Sequence, residues 1–169
     1  AARWTPTSQT GPAATFLRGL LSQRDAMPVQ AASSSLIAVD QSKATETSLR
    51  ALLKKAQKET APIALGALHQ LLAEDPAWQQ QLLSLAESKR ASIRSAALRA
   101  LTDAKASPAD KVEAASKNLT AREWSVRAAA IELLVASRTK EAPPLLMAML
   151  DKEVARMQED VRTALRNLT

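Results

Sequence analysis

Ile93-Arg94-Ser95-Ala96-Ala97-Leu98-Arg99-Ala100-Leu101 and, 33 residues later, Val126-Arg127-Ala128-Ala129-Ala130-Ile131 share one form. A branched apolar residue and an arginine precede a variable position, a small pair and a further apolar group. Val161-Arg162-Thr163-Ala164-Leu165 repeats it, and looser versions are Val29-Gln30-Ala31-Ala32 with Leu36 and Ile37, and Ile63-Ala64-Leu65-Gly66 with Leu71. The first residues of the five segments are 34, 30, 33 and 35 positions apart. Positions three, four and seven after the branched residue share a helix face, so each segment reads as an amphipathic helix. Between the segments run second stripes at helical spacing: Phe16, Leu17, Leu20 and Leu21; Leu49, Leu52, Leu53 and Ala56; Leu82, Leu83 and Leu85; Val112, Ala115 and Leu119; Leu145, Leu146, Met149 and Leu150. Each period thus holds two helices whose apolar faces are too narrow for stability alone, and stacking the pairs completes a core.

Proline placement marks the same boundaries, because proline is tolerated in a first helical turn and disruptive later. Pro12, Pro76, Pro108 and the Pro143-Pro144 pair fall where first helices begin, Pro28 and Pro62 where second helices begin, and only Pro6 stands outside. Asp75 before Pro76 reads as an N-cap, Ser107-Pro108-Ala109-Asp110 as a capping-box variant, and Ser92 and Ser125 as caps of second helices. The pattern predicts first helices near 13–23, 46–57, 76–87, 108–119 and 142–154, and second helices near 28–39, 61–73, 92–103, 125–137 and 159–168. Residues 1–169 read as one domain with repeats at 11–40, 44–74, 75–104, 107–138 and 141–169. With its start at Ala1 and its stop inside a helical pattern, it is expected to be a piece of a longer chain.

The Val-Arg-x-Ala-Ala opening of the second helix resembles the bacterial HEAT-like repeats. The first two repeats depart from it, with Gln30 and Ala64 in place of the arginine. The resemblance implies an all-α fold, a right-handed α-solenoid or α/α superhelix of about five helix pairs whose second helices line a concave surface. It also implies a structural task for Arg94, Arg127 and Arg162, holding the inter-helix turn or pairing with the next repeat, and says little of function.

Composition agrees with helices. Ala and Leu number 59 against 11 for Ile and Val together, and Tyr is absent. No cysteine and a single histidine exclude disulfides, thiol nucleophiles and the usual zinc ligand sets, so no cofactor or metal is expected. The redox compartment stays open. No apolar run approaches the roughly 18 residues of a membrane span, so no membrane insertion is expected. The net charge of +6 favours acidic partners without the long Lys/Arg runs of a nucleic-acid tail.

With the branched residue set at zero, offsets two, six and nine lie on the solvent side of each second helix. Offset six gives a polar row, Ser35, His69, Arg99, Glu132 and Asn167, varied enough for recognition of a protein surface. Lys89 and Arg90, with Arg94 and Arg99, form the densest basic group, and Trp124 stands just before a second helix as a candidate anchor. The bland readings are a solvated turn for Lys89 and Arg90, a polar surface residue for His69, and packing on the adjacent repeat for Trp124 and Trp78. No nucleophile–base pair, phosphate-cradling glycine loop or metal-ligand spacing is present, so no enzyme is expected. The sequence points to a protein-binding scaffold whose partner is another protein or a neighbouring domain of the same chain. The alternative is a nucleic-acid-binding domain on a DNA-glycosylase-like plan, for which Trp124 and Asp103 are the only candidates. Small residues at Ala96, Ala129 and Ala164 are expected against a partner helix, and Ala128 is expected to be exposed.

Overall fold

The structure, a computed structural model, describes residues 10–55, 57–150 and 155–168. The described residues form ten α-helices and two compact units. The first unit holds α1 (Thr10–Leu20), α2 (Ala26–Val39), α3 (Lys43–Lys55) and α4 (Thr60–Leu72). The second holds α5 (Pro76–Leu85), α6 (Ala91–Asp103), α7 (Pro108–Ser116), α8 (Trp124–Ser137), α9 (Ala142–Leu150) and α10 (Ala155–Leu168). These are the five expected pairs, two in one unit and three in the other. Trp4, Pro6, Ala56 and the last residues of the expected 142–154 helix lie outside the described residues.

The caps explain several starts. Asp75 accepts from the Ala77 amide at 2.9 Å ahead of Pro76, and Ser107 accepts from the Asp110 amide at 3.1 Å while donating to its carboxylate at 2.7 Å. Ser92 and Ser125 do not cap. Their helices begin one residue earlier, behind Arg90 and Glu123, neither of which caps through its side chain. Arginines brace the turns ahead of these helices, as donors to turn carbonyls rather than as caps of the first-turn amides. Arg94 donates to the Ser88 carbonyl at 3.2 Å, and Arg127 donates to the carbonyls of Ala121 and Arg122 at 2.8 and 3.0 Å. The structural task expected for these two is therefore met, whereas Arg162 is exposed and pairs locally with Glu159 at 3.7 Å.

Within each unit the second helices pack directly on one another, α2 on α4, α6 on α8, and α8 on α10. First helices pack mainly on their own partners, and a gap opens between α5 and α7. Small residues permit the close seam: Ala32, Ala97, Ala129 and Ala130 are fully buried. Trp78 is also fully buried, the packing role expected of it. Asn118 ties successive pairs from the interior, donating to the Ala114 carbonyl at 2.8 Å and to the Ala86 carbonyl, at the end of α5, at 3.1 Å. Its burial is tolerable because both amide hydrogens are used.

Three expectations fail on the second helices and their neighbours. Phe16, assigned to an apolar stripe, is 67% exposed, and Ala14 and Leu21 are the buried residues there. Ala128, assigned to solvent, is buried at 9% exposure, on the floor of a groove walled by the neighbouring second helix. The register of the second repeat also differs. Buried Ala61, Ala64, Leu65 and Leu68 match Val29, Ala32, Ser33 and Leu36, so Ala61 rather than Ile63 opens the motif. The starts then stand 32, 32, 33 and 35 residues apart. Gly66, the supposed small contact residue, is exposed, and a Cβ there would meet nothing within 4 Å.

Candidate protein-binding groove

The turn into α8 carries the site. Trp124 opens the helix, Arg127 anchors the turn from within it, and Arg94 of α6 reaches Glu123 beside it at 2.8 Å. This bracing leaves Trp124 43% exposed on a fixed backbone. The same face runs down α8 through Ala128, Ile131, Glu132 and Val135, at two, five, six and nine residues after Val126. Asp160, Thr163, Ala164 and Asn167 of α10 form the other wall, and the groove between them measures about 430 Å³.

Its rim is charged and its floor apolar. Arg99 of α6 donates from Nε to Glu132 at 3.1 Å, both side chains being about half exposed (49% and 51%). An exposed pair of this kind contributes at most about 1 kcal/mol, so its effect is to hold the rim in place rather than to stabilise the fold. Asp160 stands on the α10 side.

Four of the residues singled out by sequence meet here: Arg99, Trp124, Glu132 and Asn167. Ser35 and His69 do not. They belong to the first unit, where a smaller groove of about 240 Å³ between α2 and α4 is lined by Ser34, Ile37, Ile63, Gly66, Ala67 and Gln70 among others. The four α4 positions stand two, five, six and nine after Ala61, the same set as on α8, and the two-residue register difference takes His69 off this face. Lys89 and Arg90 are exposed in the turn before α6 and do not line the groove. Ala128, Ile131, Asp160 and Thr163 were missed. Their signal was the seam itself, since offsets two and five become a floor once two second helices lie side by side.

Trp124 and Asp103 cannot act together. The pairs Arg94–Glu123 and Arg99–Glu132 set α6 and α8 parallel, which puts Asp103 at the far end of α6 from Trp124, roughly 15 Å or more along the helix axis. Beyond the groove, Lys111 donates to the Thr102 carbonyl at 3.0 Å, and burial pushes its ammonium below the usual lysine range against the pull of Asp103. Among the described residues no group of three or more His, Asp or Glu could hold a metal ion. No described helix is long and apolar enough to cross a membrane.

No family model matches the chain, and no curated protein does. Solved structures do. The complex of CpcE and CpcF of phycocyanin lyase from Nostoc sp. PCC7120 contains a chain with TM-score 0.67 and 18% identity, covering 90% of this chain and 98% of that one. An engineered protein matches with TM-score 0.56 and 19% identity, covering 92% of this chain and 79% of that one. These likenesses establish the class, an all-α helical-repeat fold. At such identities they carry the fold alone.

Proposed function

We propose that this chain is a HEAT-like protein-binding domain that holds a segment of another protein, or of a neighbouring domain of its own chain, between α8 and α10. The observation that carries the reading is the convergence of a braced, half-exposed tryptophan, an aliphatic floor and a fixed ion pair in one groove of about 430 Å³. Exposed Trp beside small and aliphatic residues suits an anchoring contact, since such residues dominate interface energies. Glu132 is already matched by Arg99, while Asp160 offers a second carboxylate, so the fitting segment places an apolar side chain in the slot and a basic one beside Asp160. Two carboxylates on the rim argue against a phosphate backbone, which basic surfaces attract and acidic ones repel.

The likeness to a chain of a two-protein complex accords with a task in assembly and adds nothing about chemistry. The test is titration calorimetry with the partner recovered on the immobilised chain. Trp124→Ala is expected to weaken binding by about 30-fold, equivalent to about 2 kcal/mol. Affinity within about twofold of the parent would sink the reading.

A further inference from the structure

In the first unit, the gap between α1 and α3 forms a cleft of about 460 Å³ near the ends of both helices. Leu21 and Leu52 give it an aliphatic floor, Gln57 offers an amide, and Arg18, Arg24 and Lys55 supply its charge. Among the described residues no carboxylate lines it. Arg18 is braced by Asp40 at 2.6 Å, a contact that accompanies the Thr45 hydroxyl in holding the Asp40 carboxyl below its usual range. Arg24 and Lys55 are exposed and have no counter-ion among the described residues.

The corresponding gap of the second unit, between α5 and α7, is finished differently. Glu87, Asp110 and Glu113 line it with Lys117, which pairs with both glutamates at 2.8 Å and is held well above the usual lysine range by them. That gap supplies the counter-charges of its own cation, and three carboxylates against one ammonium leave it acidic. The first gap has the cations without the acids, so its complement must come from outside. A lysine in the last turn of α3 also suits the helix dipole, but this accounts for Lys55 alone, since Arg24 lies in the turn between α1 and α2.

We infer that the cleft between α1 and α3 docks an acidic segment of a partner protein, with Asp or Glu side chains on Arg24 and Lys55 and an aliphatic residue on the Leu21–Leu52 floor. A protein segment fits better than a nucleic acid because the floor is aliphatic and offers no aromatic ring on which a base could stack. The cleft shares no residue with the α8–α10 groove, so this inference does not depend on that reading.

Fluorescence anisotropy with a labelled peptide of Glu-Glu-Leu repeats tests it on the full chain at low ionic strength. The acidic peptide is expected to bind with an affinity that falls with salt, while a Lys-Lys-Leu peptide does not bind. The double variant Arg24→Glu, Lys55→Glu should weaken binding by at least about tenfold, and a control of equal charge change in the second unit, Lys89→Glu with Lys140→Glu, by no more than about twofold. Unaltered thermal melts establish that both variants remain folded, as exposed positions should. Failure of the peptide to bind, equal losses in both variants, or stronger Arg24- and Lys55-dependent binding of a single-stranded DNA oligonucleotide would overturn the inference.

Discussion

Ala128 and Ala129 are neighbours with opposite surroundings. Ala129 is fully buried in the seam of second helices, so Ala129→Leu forces extra volume into filled space and should cost about 1–3 kcal/mol. Ala128 sits on the floor of the groove with open volume above it, so Ala128→Leu should cost under about 1 kcal/mol while filling the slot beside Trp124. Paired thermal melts read the difference, and a larger loss for Ala128→Leu would reverse the assigned faces of α8. The task of Arg94 and Arg127 came from the resemblance of the motif rather than from the residues themselves, and its physical reason is that an arginine at the mouth of a helix has turn carbonyls within reach. The burial of Ala128 was not legible, because helical phase describes one helix, and the neighbour that walls it in belongs to another repeat. Asn118 was missed for the same reason, since the Ala86 carbonyl that it satisfies lies 32 residues away.

For whole helices, starts marked by proline or aspartate were placed to within about three residues, because those residues act on the first turn, whereas α10, which has no such mark, begins four residues before its expected start. Register was harder in α4. Ile63 is the branched residue there, yet it faces the groove between α2 and α4, and the smaller Ala61 takes the buried position, two residues or about 200° around the helix. The seam selects for size, so a small residue can open the motif and a bulky one can lie outside it. The register makes a direct forecast at Gly66. Glycine inside an exposed helical stretch costs backbone entropy, and a Cβ there meets no atom within 4 Å, so Gly66→Ala should stabilise the chain by about 0.5–1 kcal/mol. Urea titration reads the gain. A loss would mean that position 66 is packed against a neighbour, as the Ile63 register required.

Across the whole chain the repeat period made the fold legible, since five short segments of similar spacing admit few arrangements other than stacked helix pairs. The division into two units was not legible, because it depends on how closely successive pairs pack and not on their pattern. The candidate site was half legible. Arg99, Glu132 and Asn167 were found by phase and Trp124 by residue type, whereas its floor exists only between two helices. The claim on which the functional account rests is that this groove holds a protein segment. The most direct measurement is site-specific photo-crosslinking in the source cells with a photoreactive amino acid at Glu132 or Thr163, in the groove, or at Ala109 or Lys140, which are exposed and outside it. The account predicts adducts with one and the same protein from Glu132 and Thr163 and none from the two controls. Adducts confined to Ala109 and Lys140, or no adduct from either groove position, would contradict it.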